Sequence, residues 1–217
     1  LALGENGHLY SLHFWGYSLA CLPAKLLLRV LHLNDLRAGQ ITNAVALLAA
    51  LFVVLFRSAS PPRERLVIGL LCLFSPAAWF ALWTHPETVC FSLVLVALVQ
   101  AHAGRRHLPV FWAALAATQN PPLVFLVAAL WVAGAWPRPG LDGRDRALAL
   151  AKSSAAALSI LVPPVFFLGA FHTPNPLARD WARTDLLSWK RALELLFDLN
   201  LGLLPYVPVA LLLFCAA

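Results

Sequence analysis

The chain has 217 residues, 61% of them hydrophobic and only 12% charged, with a mean hydropathy of +0.77. A soluble domain carries roughly a quarter of its residues as charges, so a water-soluble globule is excluded, and a disordered or coiled-coil chain, which needs still more charge, is excluded with it. The net charge of +6 does not point to nucleic acid, because the cations form short clusters between apolar runs instead of one stripe; that spacing makes a lipid bilayer the partner.

Charged residues are missing from 38–56, 66–86, 88–104, 107–137, 153–178 and 199–217. A membrane-crossing helix takes roughly 20 residues, so each of these runs is a candidate span. The chain has no Met, opens on polar residues without a signal peptide and closes inside an apolar run, which leads us to expect an interior fragment of a longer polytopic protein. Residues 1–39 are expected to form an outer loop and an interfacial helix. Within them, 17–33 places Lys25, Arg29 and His32 on one helical face and leucines on the other, the pattern of a helix lying in the membrane surface.

Residues 40–171 are expected to be transmembrane helices. Three basic clusters, Arg57/Arg63/Arg65, Arg105/Arg106 and Arg138/Arg144/Arg146, face only Glu64, Asp142 and Asp145, so the positive-inside rule puts all three on the cytoplasmic side. Between two inside clusters the chain crosses an even number of times. Residues 66–104 are therefore a hairpin with its outer turn at Thr84-His85-Pro86-Glu87, and 107–137 folds back at Thr118-Gln119-Asn120-Pro121-Pro122, as two short spans or a re-entrant hairpin. As one helix the second stretch would be about 46 Å long, too long for a single crossing.

Residues 147–171 form the next span, with Lys152 near its cytoplasmic end and a break at Pro163-Pro164. The outer loop 172–200 balances Arg179, Arg183, Lys190 and Arg191 against Asp180, Asp185, Glu194 and Asp198, and its segment 185–198 reads as an amphipathic helix capped by Thr184 or Asp185. Residues 201–217 complete the count as a truncated transmembrane helix. The predicted architecture is an all-α polytopic bundle of about seven membrane segments in one membrane domain, plus interfacial helices. Cys21, Cys72, Cys90 and Cys215 lack CxxC spacing and read as small core hydrophobes, with neither a disulfide nor a metal site.

Three stretches carry a family likeness. Gly7-His8-Leu9-Tyr10-Ser11-Leu12-His13-Phe14-Trp15-Gly16-Tyr17 with Pro23, Trp83-Thr84-His85-Pro86-Glu87 before an apolar span, and Asp198-Leu199-Asn200-Leu201-Gly202-Leu203-Leu204-Pro205-Tyr206 entering a late span together resemble bacterial polytopic glycosyltransferases of the GT-C superfamily, relatives of the protein O-mannosyltransferases. The resemblance covers most of the chain, with degenerate motifs, and lacks the family's N-terminal span and first outer loop with its characteristic acid. It implies transfer of a sugar from a polyprenyl-phosphate donor to a glycan, lipid or protein acceptor on the periplasmic face of a bacterial inner membrane. A carboxylate would take the acceptor proton and cations would stabilise the leaving phosphate.

Glu87 is the sole acid between Glu64 and Asp142 and is the candidate catalytic residue, although the T-x-x-E spacing from Thr84 equally suits a capping box on the next helix. His85 beside it, and His8, Tyr10 and His13 in the first outer segment, are candidate substrate contacts; a solvated loop is the plainer reading of the latter three. Lys25 and Arg29, one turn apart, could hold a lipid phosphate or snorkel to headgroups. Arg179 and Arg183 could do the same from a lid formed by the 172–200 loop, which is otherwise a surface connector. No metal ligand set is visible, and a divalent metal ion stays open as the one cofactor to consider. The sequence contains no Walker lysine loop, GxGxxG, GxSxG, HExxH or CxxC, so ATPase, Rossmann, serine-hydrolase and zincin chemistry has no support. The alternatives are a transporter or flippase subunit for a lipid-linked sugar or other amphiphile, suggested by helix breaks at Ser75-Pro76, Pro121-Pro122 and Pro163-Pro164, and a non-catalytic membrane scaffold.

Overall fold

Long runs of Ala, Leu, Val and Phe without charges have no strand-like alternation and satisfy their backbone groups locally, so they form helices. The computed structural model describes residues 2–3, 9–10, 15–136, 143–173, 189 and 193. The chain divides into two compact units, 1–174 and 175–217, and all but two of the described residues lie in the first. Its helices are α1 (Trp15–Val30), α2 (Ala38–Arg57), α3 (Pro62–Leu73), α4 (Pro76–Phe80), α5 (Glu87–His102), α6 (His107–Ala117), α7 (Val124–Ala135), α8 (Gly143–Leu158) and α9 (Val162–Phe171). Apart from an antiparallel pairing of β1 (Ala2–Leu3) with β2 (Leu9–Tyr10), the described elements are helical, and the fold class is all-α.

Two of the described stretches are long and apolar enough to cross a membrane: the 23 residues Asp35–Arg57 and the 29 residues Gly143–Phe171. The latter runs through a 3-10 turn at Ser159–Leu161, and Pro163 sits in the first turn of α9, where a missing N–H costs no bond. The expected break at Pro163-Pro164 is therefore only a change of helix type. The breaks at Pro76 and at Pro121-Pro122 do interrupt the chain. α6 and α7, of 11 and 12 residues, are each about 17 Å long, well short of a hydrocarbon core of about 30 Å. They form a hairpin of short helices around residues 118–123.

Packing runs small side inward and large side outward. Ala97 on α5 and Ala113, Ala114 and Ala117 on α6 are buried in one cluster with Val110 and Val127, while Phe74 is 84% exposed, Phe125 79% and Trp79 76%. Small residues bring helix backbones close, which is how helices associate where burying apolar surface brings no gain over lipid. A second cluster joins Leu47 and Leu51 of α2 to Cys72 and Ala81. Gly69 extends that contact, since a Cβ there would lie 3.2 Å from the Leu55 side chain. Arg65 donates from Nε to the Ser60 carbonyl in the loop after α2 at 2.6 Å and from Nη1 to the Leu55 carbonyl in the last turn of α2 at 3.3 Å, so a cation of the first basic cluster sits at a helix C-terminus, where a positive charge is favoured.

Candidate functional site

The N-termini of α1, α2 and α5 and the turns 81–86 and 118–120 meet at one end of the bundle, and a side chain from α2 organises them. Asn43 is fully buried. Its amide nitrogen donates to the carbonyls of Trp83 at 2.7 Å and His85 at 3.0 Å, with Phe80 at 3.4 Å. Three carbonyls around one atom fix that atom as nitrogen, so Oδ1 is the acceptor for the Tyr17 hydroxyl at 3.1 Å. The same hydroxyl lies 3.2 Å from the Gly39 carbonyl. Gln40, one turn before Asn43, adds a bond from Nε2 to the Leu82 carbonyl at 2.7 Å. The turn leading to Glu87 is thus held by amide side chains from α2.

Tyr17 is anchored at both ends. Its backbone N–H, in the first turn of α1, donates to Gln119 Oε1 at 2.9 Å, so a residue from the 118–120 turn satisfies an orphan donor at the helix start. Gly16 makes room for this, because a Cβ there would collide with the Gln119 amide. Burial, reinforced by neighbouring Cys21, holds the Tyr17 hydroxyl above its ordinary ionisation range, and the Glu87 carboxylate pushes the same way.

Glu87 is the first residue of α5, with Pro86 at the N-cap and no side-chain capping bond there. The capping box is therefore corrected: the helix starts at Glu87 with Pro86 as its N-cap, two residues later than a Thr84 cap would place it, because Asn43 takes up the 83 and 85 carbonyls and keeps that segment a turn. The carboxylate sits half-exposed beside the N-terminal N–H groups, which favour an anion, with Oε1 3.6 Å from His85 Nδ1. Behind it, the buried Thr88 hydroxyl donates to the Ala77 carbonyl at 3.0 Å and ties α5 to α4.

A cavity of about 430 Å³ opens between α1, α5, α6 and α9. Leu19, Val89, Leu93, Leu115 and Val162 make its apolar walls, and Tyr17, Thr118, Gln119 and Ser159 contribute its polar groups. Of the residues singled out from the sequence, His85 and Glu87 are brought together at this end of the bundle. Lys25 and Arg29 are exposed on α1; Arg29 Nε bonds Asp35 Oδ2 at 2.9 Å, so its charge is already paired at a solvated position. Tyr10 lies in β2, while His8, His13, Arg179 and Arg183, the caps at Thr184 or Asp185 and the span 201–217 lie outside the described residues. Within the 185–198 segment, Trp189 and Leu193 are helical and exposed. Among the described residues, no three His, Cys, Asp or Glu come together as a metal-binding group.

Asn43 and Tyr17 are neither acids nor cations, so the charge pattern does not mark them. The signal for Asn43 was present: an amide in the charge-free run 38–56, where a polar side chain needs a partner. Comparison with protein-family models, with curated proteins and with solved structures found no match for this chain.

Proposed function

We propose that the chain is part of a polytopic membrane glycosyltransferase that moves a sugar from a polyprenyl-phosphate donor to an acceptor at the outer, periplasmic face of a bacterial inner membrane, through a bundle of about seven spans. Membrane embedding is supported by the inverted packing, since exposing Phe74, Phe125 and Trp79 to water would leave large apolar patches uncovered. The observation that carries the chemistry is an exposed carboxylate, Glu87, whose turn is tied through Asn43 to the hydroxyl of Tyr17, a residue lining an apolar cavity. An amphiphile suits that arrangement: its chain lies along Leu93, Leu115 and Val162, and its polar head reaches Gln119 and the Glu87 turn.

In this reading Glu87 accepts the proton of the acceptor hydroxyl as that oxygen attacks the anomeric carbon, and the bond to the carrier phosphate breaks. His85 and the backbone N–H groups at the start of α5 lie where they can bind sugar or phosphate oxygens. The transporter reading draws on the interruptions at Pro76 and Pro121, but the buried polar groups of the described helices are the uncharged Asn43, Thr88, Ser92 and Ser153, which favours a site at the end of the bundle over one at its midplane. Glu87→Gln in the full-length protein, assayed in membranes with a labelled polyprenyl-phosphate sugar, is expected to lower transfer at unchanged expression. Wild-type turnover in that variant would remove Glu87 from the chemistry.

A further inference from the structure

The Tyr17 side chain belongs to two structures at once. It lines the cavity beneath α1, and its hydroxyl bonds Asn43, whose amide holds the Trp83 and His85 carbonyls. Those carbonyls flank Thr84 and precede Glu87 by four and two residues. Tyr17 is also fastened to the cavity's polar rim through its backbone bond to Gln119 Oε1. A chain entering the cavity packs against Tyr17, and hydrogen bonds near 3 Å weaken steeply with small displacements and changes of angle. Asn43 has no exposed surface, so it has no water to turn to when its partner moves.

We infer that Tyr17 and Asn43 are positioning residues that make the placement of the Glu87 turn depend on whether the cavity beneath α1 holds the hydrocarbon chain of an amphiphile. The identity of that amphiphile as a polyprenyl phosphate rests on the transferase reading; the linkage itself rests on the shared side chain. Filling the cavity biases the hydroxyl–amide contact, and the turn carrying His85 and Glu87 responds through its own carbonyls. A site built this way couples the placement of its acid to the seating of the donor's chain, which separates lipid binding from the arrival of the acceptor.

The test uses the full-length protein in lipid nanodiscs with farnesyl phosphate as the probe. Binding is measured with labelled probe, and amide hydrogen exchange is followed over residues 82–88. In the wild type, saturating probe is expected to change exchange in that segment at least threefold. In Tyr17→Phe, which keeps the ring but lacks the hydroxyl, the probe should still bind and the change should disappear. The readout is the response to the probe, because a hydroxyl that merely stabilises the fold alters exchange equally with and without it. An unaltered response in Tyr17→Phe, or no response in the wild type despite binding, overturns the linkage while leaving the transferase reading intact. Failure of the wild type to bind the probe overturns both.

Discussion

Replacing Asn43 by Ala should destabilise the protein more than any other truncation of a polar side chain in the described helices. The change removes two good bonds to the carbonyls of Trp83 and His85, at 2.7 and 3.0 Å, and the acceptor for Tyr17 at 3.1 Å. The contact to Phe80 at 3.4 Å is too long to count fully, and that carbonyl keeps the Trp83 N–H. Tyr17 retains the Gly39 carbonyl, so its loss is partial. At about 1 kcal/mol net for each good bond, plus a desolvated carbonyl left behind, the cost is roughly 2–4 kcal/mol. For a domain of this size that is a fall of roughly 5–15 °C in Tm, measurable by thermal unfolding in mild detergent. Asn43→Asp preserves shape but turns an acceptor toward carbonyls that need a donor, and should be at least as damaging. A fall below about 2 °C in both variants would refute the argument that this amide organises the turn.

Gly16→Ala should push the Gln119 amide away from the Tyr17 N–H, lowering stability by about 1 kcal/mol; adding Gln119→Ala to it should cost little more if the two act through one bond, which a double-mutant cycle reads directly. Ala114→Leu forces three carbons into a fully buried position of the α5–α6 seam, and a loss of about 1–3 kcal/mol is expected, whereas Phe74→Leu, at an exposed position, should be nearly silent in the same unfolding assay. Arg65→Ala leaves the Ser60 and Leu55 carbonyls without their donor and should lower stability, with Arg65→Lys recovering part of it. Tyr17 lies in the first turn of α1, and its hydroxyl is held above its ordinary range, chiefly by burial. Its neutral form is therefore favoured by folding: the contribution is complete below the unfolded value near 10 and is lost as the pH rises through the folded value. Alkaline unfolding compared between wild type and Tyr17→Phe should show this limb only in the wild type.

Charge spacing made much of the helical order legible. The turn at 81–86, the fold-back at 118–123 and the helix start near Tyr17 all follow from where Pro, Gly and the charges stand, because these residues act locally on the backbone. Pro163-Pro164 misled for the same local reason: the sequence registers two helix breakers, but Pro163 occupies a first helical turn, where it does no harm. The capping box failed because the competing interaction is remote. Thr84 and Glu87 have the right spacing, yet Asn43, some forty residues earlier in the chain, takes the carbonyls of Trp83 and His85 and shifts the helix start to Glu87. Likewise the sequence offers Arg29 to a phosphate or to lipid headgroups, and does not show that Asp35, beyond the end of α1, pairs with it. The spacing of the basic clusters already put the His85-Glu87 turn and the Gln119-Asn120 turn on the same side; that Tyr17 joins them through Gln119 and Asn43 is a tertiary fact with no periodic trace.

The alanine seam between α5 and α6 bears on how the chain assembles. These helices are joined by a connection of only a few residues, 103–106, and their contacts are local in sequence. A pair of this kind can close without waiting for the rest of the protein, because the loop entropy to be overcome is small. The contacts of α2 with α5 must instead bridge the whole α3–α4 arm, so Asn43 meets its carbonyls late. The α5–α6 hairpin therefore closes at a smaller cost in loop entropy than the α2–α5 contact that shapes the turn bearing Glu87.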